Sequence, residues 1–270
     1  MTEEYLWKYL SLDKFESLLK NNGLYFSTIQ HLKTNIDPEE CLLIDSYTND
    51  QISSIQNTLK DCVFDEIKQK VKQHIKDLEI IRENAIKNIF VCSFTNDGVE
   101  NYALWKIYPT DLKGNVQINQ GLAIRFKKKH LIKLFEQPKF VMDDGIIFEK
   151  YRVFLRKVQY ASKIDIIERA KTLLNTNSCQ EFYELLHSLK LDFYKYEQEE
   201  RAVIQMFNEN KKNSLGGFLK FKLEDLFDDE TKIFISPFAQ NSLEGYVEYL
   251  LKKYKLNPDI LINNSKIILN

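Results

Sequence analysis

The chain has 270 residues, 44% of them apolar and 13% aromatic, enough to bury a sizeable core in one large domain or two modest ones. Its 38 Lys and Arg nearly cancel its 39 Asp and Glu, so no overall basic field gathers nucleic acid, and eight Gly without a GxGxxG or GxxxxGK run argue against Rossmann and P-loop phosphate cradles. The four Cys form no CxxC pair and the four His no HExxH spacing, which leaves a zinc site or disulfide framework unsupported; with no long apolar run, a soluble, cytoplasmic protein without membrane contact is expected.

In chain order, Tyr5, Trp7 and Tyr9 alternate with Leu6 and Lys8 as in a short strand. Ser11 can cap a helix that carries Leu12, Phe15, Leu18 and Leu19 on one face and stops at Asn21 to Gly23. LYFST then reads as a second strand, and TNIDPEE, from Thr34 to Glu40, as an acidic turn. Between residues 51 and 88, Ile52, Ile55, Leu59, Val63, Ile67, Val71, Ile75 and Leu78 recur every three or four positions. They predict one long helix, or two broken near Asp61, as a helical insertion or arm that packs on the body, on a partner or on a second copy in a homo-oligomer.

After the arm, IFVCSFT (Ile89 to Thr95) reads as a buried strand, NYALWKIY (Asn101 to Tyr108) as an aromatic helix, and GLAIRF (Gly121 to Phe126) as a strand followed by a helix through Leu131, Leu134 and Phe135. The basic runs RFKKKH and KYRVFLRK are the densest local positive charge and a candidate phosphate contact. One or two strands before Tyr160, helices over Ile164 to Leu174 and Cys179 to Leu191, a strand from Tyr196, strands in GFLKFKL and KIFISP, a helix from Ser242 to Lys253 and a final SKIIL strand complete the reading. Separated helices and hairpin-capable strands predict one α+β domain over residues 1–270 with a mixed, mostly antiparallel sheet; a doubly wound sheet is the runner-up.

The stretch FYKYEQEERAVIQMF, Phe193 to Phe207, drives charge toward a buried strand. A two-residue period from Tyr196 puts Glu197, Glu199 and Arg201 on one face. Either Arg201 pairs with a carboxylate at a wet strand start, or the row belongs to a site. The other candidates are Lys8, Tyr9, Ser93, Thr95, Trp105 and Tyr108. A carboxylate beside aromatic surfaces suits a flat cationic ring and the positive charge that develops as a bond to that ring breaks, which fits cleavage of the glycosidic bond to nicotinamide. Against this, Trp105 and Tyr108 are three apart on one helix and can be core contacts, Ser93 and Thr95 can be strand-edge hydrogen-bond groups, and Tyr9 alone reads as structural.

LWKYLSLDKFESLLKNNGLYFST, then VCSFTNDGVENYALWKIY with GLAIRF, then YEQEERAVI resemble, in this order, the bacterial DUF2971 family, from residue 6 to about residue 268 and least well over 51–88. That family is similar in organisation to the ADP-ribosyltransferase superfamily, so the resemblance implies a split sheet, NAD as cofactor, and transfer to a macromolecular acceptor, protein or nucleic acid. It implies Glu199 as the catalytic carboxylate, as second acid of an E-x-E pattern, and Glu197 as the first; Lys8, Tyr9, Ser93, Thr95, Trp105, Tyr108 and Arg201 fall to NAD binding. Such proteins resemble toxin or phage-defence components. The chain departs from the pattern at Leu10, where Arg is common, and at Lys106 and Ile107, where Ser and His are usual. NAD hydrolysis and a non-enzymatic binding or regulatory module are the alternative functions.

Overall fold

The computed structural model describes residues 4–35, 37–60, 64–136, 139–148, 151–176, 179–206, 214–262, 265 and 267. Alternating apolar residues in YLWKYLS form β1 (Tyr5–Ser11); α1 (Leu12–Asn21) buries Phe15, Leu18 and Leu19 and stops where Asn22 turns left-handed at φ 50°, a conformation Asn tolerates well. Then follow β2 (Gly23–Thr28), α2 (Ile29–Asn35), α3 (Leu42–Leu59), α4 (Asp65–Lys87), β3 (Ile89–Thr95), α5 (Tyr102–Ile107), β4 (Gly121–Lys127), α6 (Lys128–Leu134), β5 (Lys139–Met142) and β6 (Ile147–Phe148). The second half holds β7 (Val153–Lys157), β8 (Gln159–Ala161), α7 (Lys163–Thr176), α8 (Cys179–Leu186), β9 (Leu189–Leu191), a 3-10 turn over Asp192–Glu197, β10 (Glu199–Gln205), β11 (Gly216–Lys220), α9 (Leu223–Leu226), β12 (Lys232–Ile235), α10 (Ser242–Lys253) and β13 (Leu261–Ile262).

β3 is the hub of the sheet. One of its edges is bonded by β10 from Glu199↔Thr95 to Gln205↔Ile89, and β10 in turn pairs with β7. The other edge is shared: β1 meets it at Trp7↔Thr95, and β2 at Ser27↔Val91 and Thr28↔Phe90. The sheet therefore forks at Ser93. One branch runs outward through β1, β4, β12 and β13, the other through β2, β11, β5 and β6. Among the described residues the sheet has eleven strands, antiparallel except for β12 with β13, and β8 and β9 form a separate parallel pair. The chain is thus one α+β domain with a mixed, mostly antiparallel sheet.

Alternation assigns each face. Leu6 and Leu10, Phe90, Cys92 and Phe94, and Ala202 and Ile204 point inward to the main core, which α1 and α10 also fill. The opposite face is covered in two patches. Ile89, Val91 and Val203 meet Ile29, Cys41, Ile44 and Leu186 from the α2, α3 and α8 side; Trp7, Tyr9, Ala123 and Phe234 meet Leu104 and Trp105 of α5. Between these apolar patches runs a polar seam.

Several expectations need correction. The arm begins at Leu42, not near 51, as two helices, and residues 61–63 at their junction lie outside the described residues. α3 packs on α7 as well as on α4. Of the expected stripe, Ile55, Val71 and Ile75 are half-buried but Ile67 is exposed, and the side chain of Leu59 lies outside the described residues. The helix expected to reach Leu191 stops at Leu186 because Leu189 and Leu191 alternate inward in β9, beside β8. The strand expected from Tyr196 starts at Glu199, after a 3-10 turn and a left-handed Gln198 at φ 43°. Of the expected SKIIL strand, residues 266, 268 and 269 lie outside the described residues. Among the described residues, no helix is long and apolar enough to cross a membrane.

β11 is threaded between β2 and β5. At Gly217 a Cβ would lie 2.7 Å from the Val141 carbonyl oxygen and 2.9 Å from the Met142 Cα. Backbone on a neighbouring strand cannot swing aside, so Gly217→Ala is expected to destabilise the fold by about 1–3 kcal/mol. The measure is a lower urea midpoint with an unchanged slope.

Candidate functional site

The seam is built on two adjacent strands. Cross-strand register sets Glu199 beside Thr95 and Arg201 beside Ser93, with Trp7 beyond Thr95, all on the outward face. Arg201 is 1% exposed and every donor of its guanidinium is used. Its Nε and Nη2 donate to the two oxygens of Glu199 at 2.7 and 3.1 Å, Nη1 and Nη2 donate to the two oxygens of Glu40, and Nη1 also donates to the His187 carbonyl at 3.2 Å. Burial opposes the Arg201 charge, but Glu199 and Glu40 overcome it and raise the guanidinium pKa further.

Lys190 extends the network. Between the apolar Leu189 and Leu191 it points to the opposite side, and its Nζ donates to Glu197 at 2.8 Å and to Glu199 at 3.4 Å. The two acids respond in opposite directions. Burial pushes Glu199 up, yet the Arg201 and Lys190 charges hold it down at about 2. For Glu197, burial is the largest effect, and with the Glu199 charge it raises the pKa despite Lys190. The Ser93 hydroxyl is directed at Glu199, and the Tyr108 hydroxyl at Glu197. Ser93 and Tyr108 are half-buried, whereas Glu197, Glu199 and Arg201 are buried. The Tyr160 hydroxyl accepts from the Glu199 N–H at 2.7 Å, fixing the start of β10.

One residue holds the two sides of the seam together. Asn101 caps α5, its side-chain oxygen accepting from the N–H groups of Ala103 and Leu104, while its Nδ2 donates to the Tyr196 carbonyl at 3.1 Å. It joins the helix that ends at Tyr108 to the turn that ends at Glu197.

The sequence-selected residues divide into three groups. Glu197, Glu199, Arg201, Ser93 and Tyr108 converge, with Thr95 buried beside Glu199. Tyr9 and Trp105 are 7% and 0% exposed and pack edge to face, with ring centroids 4.9 Å apart; the Tyr9 hydroxyl accepts from the Asn101 N–H at 2.8 Å. They form the wall behind the cap, and neither presents an open ring face. Lys8 belongs to the opposite face of β1, beside Leu6 and Leu10; its Nζ sits 5.3 Å from the Phe94 ring centroid and donates to the Ser93 carbonyl at 3.2 Å, at the fork. Near it, the Lys14 Nζ donates to the Thr110 Oγ1 at 2.6 Å, and burial first, then the Lys8 charge, lowers the Lys14 pKa. Among the described residues, neither ammonium has a carboxylate within ion-pair distance.

Sequence reading did not select Glu40, Lys190, Asn101 or Lys14. Asn101 was legible as an N-cap before YALW, and Glu40 as one acid of TNIDPEE; Lys190 carries no local signal, since its role comes from the β8–β9 pairing. No family model, curated protein or solved structure matches the chain.

Arg201→Met strands Glu40 without its counter-charge and leaves Glu199 only Lys190, at 3.4 Å, and a loss of about 3–5 kcal/mol is expected in urea unfolding at neutral pH. Acid should act in two stages. His187 is buried beside Arg201 and its pKa falls to about 4 from 6.5, so the unfolded chain binds a proton first and stability declines as pH falls from 6.5 to 4. Glu199, lowered to about 2 from 4.5, gives stability that is complete above 4.5 and is lost as pH falls toward 2. Urea midpoints between pH 7 and 3 check this: His187→Gln should flatten the upper stage and leave the lower.

Proposed function

We propose that the chain is an NAD-dependent ADP-ribosyltransferase that modifies a macromolecular acceptor, protein or nucleic acid. The observation that carries this reading is a pair of carboxylates of opposite proton affinity, Glu197 and Glu199, bridged by Lys190 beside the half-buried Ser93 and Tyr108. The forked antiparallel sheet and the motif resemblance to DUF2971 and the ADP-ribosyltransferases support it.

The donor set fits NAD in parts. The Ser93 hydroxyl and Glu199 suit the ribose next to nicotinamide, and the Tyr108 hydroxyl stands beside Glu197; Lys8 and Lys14 lie on the opposite face of the sheet and are not part of this set. NAD supplies a ribosyl carbon bonded to a cationic leaving group: that C–N bond breaks with its electron pair leaving on nicotinamide, and the acceptor's oxygen or nitrogen forms the new bond. Glu199, kept ionised by Arg201, stabilises the positive charge that develops on the ribosyl carbon. Glu197, with the higher proton affinity, takes the acceptor's proton. Arg201 is a positioning residue and acts through Glu199.

A second reading draws on burial: both Glu199 oxygens are engaged by Arg201, as in an ion-pair network that holds a non-enzymatic binding module together. The test uses purified protein, labelled NAD, and lysate, DNA or RNA as acceptor, following nicotinamide release and label incorporation. Glu199→Gln should lower both by about 10²–10³. Glu197→Gln should lower incorporation more than release, because water can still react without that base. Release without label by the wild type assigns NAD hydrolysis instead; a folded wild type with neither signal, and no calorimetric NAD binding, leaves the non-enzymatic module.

A further inference from the structure

Away from the seam, a pocket of about 460 Å³ opens where α1, α10 and the 3-10 turn before β4 meet. That volume is within the roughly 300–1,000 Å³ of small-molecule sites. Three carboxamides line it: Asn119 and Gln120 from the turn, and Gln240 from the approach to α10. Among the described residues, none of these side chains hydrogen-bonds to a protein group, so each offers a donor and an acceptor to whatever enters.

The other wall is α10. Gly245, Tyr246 and Tyr249 share its outward side, while Leu243, Val247, Leu250 and Leu251 are buried in the core. The two rings stand 6.0 Å apart and 27° from parallel, and are 42% and 55% exposed. Gly245 is the informative residue. Glycine inside a helix costs about 1 kcal/mol relative to alanine. Here no packing demands it: a Cβ at Gly245 meets nothing within 4 Å, and its φ is not in the positive range. What its missing side chain does provide is open floor in the pocket.

We propose that this pocket is a binding site for an uncharged carbohydrate. Tyrosine faces suit the apolar C–H side of a sugar ring, and free carboxamides suit its alternating donor and acceptor hydroxyls. Charge separates this from a nucleotide site. No lysine or arginine lines the pocket, and Glu16, hydrogen-bonded to the Tyr246 hydroxyl, places a carboxylate at its edge that repels phosphate. The site is independent of the transferase reading.

The experiment uses the full chain and saturation-transfer NMR with a panel of neutral trisaccharides (maltotriose, cellotriose, chitotriose), with adenosine and AMP in parallel. At least one saccharide is expected to bind, with affinity lowered about tenfold or more by Gly245→Leu, which fills the floor, and by Gln240→Ala. Gly245→Leu should melt no lower than the wild type, since it exchanges a poor helix former for a good one into open space. Failure of every saccharide, binding unaltered by both variants, or preferential binding of adenosine displaced by Gly245→Leu overturns the proposal.

Discussion

A guanidinium sealed from water is the constraint around which the rest of the seam is arranged. Removing Arg201 from solvent carries a large desolvation cost, which is offset only if each donor is met by an acceptor of good geometry. The chain meets that demand from three separate places: Glu40 after α2, Glu199 on the same strand, and the His187 carbonyl at the end of α8. A planar fork accepts few arrangements of two carboxylates and a carbonyl, so the contacts fix register more than they add net stability. Once Arg201 is fixed, Glu199 has no rotational freedom, Lys190 is drawn to the remaining negative charge, and Glu197 is positioned against Lys190 rather than in solvent.

The fork in the sheet follows from the same region. β1 leaves β3 after one paired position and β2 joins further along, so the Ser93 carbonyl has no strand partner at that edge; the Lys8 ammonium supplies the donor. A lysine from the inward face thus closes a backbone gap beside a serine whose hydroxyl faces the opposite way. This explains how a charged residue sits within the alternation of β1 without disrupting the core, and why the aromatic residues flanking it, Trp7 and Tyr9, are free to pack under α5.

Where local pattern decides structure, the sequence was informative. The apolar run of β3, the amphipathic α1 and the limits of α10 were all read directly, because alternation or helical spacing is unbroken there. The row at 197 to 201 was legible as charge but not as geometry: period-two counting assumes continuous strand, and the left-handed Gln198 breaks it. Glu197 reaches the seam through the turn and Lys190, which depends on a parallel contact between β8 and β9 that no local pattern encodes. Tyr9 and Trp105 show the opposite error. Aromatic residues near acids look like ligand platforms until their burial is known, and here they face each other.

The charges in this region are unequally matched on the two faces of the sheet. In the network joined by Arg201 and Lys190, three carboxylates, Glu40, Glu197 and Glu199, face two cations; burial is the largest cause of the raised proton affinity of Glu197, and the Glu199 charge adds to it. At the fork, Lys8 and Lys14 hold neutral acceptors; burial is the largest cause of the lowered proton affinity of Lys14, and the Lys8 charge adds to it. One residue separates them: Ser93 offers its carbonyl to Lys8 and its hydroxyl toward Glu199. Because the sheet lies between them, a ligand that approaches from the side of the Ser93 hydroxyl meets the surplus carboxylate and not the lysines. Attraction to a surplus carboxylate strengthens wherever positive charge develops on a bound group, which is the condition for a polar seam to accelerate a reaction rather than merely hold its substrate.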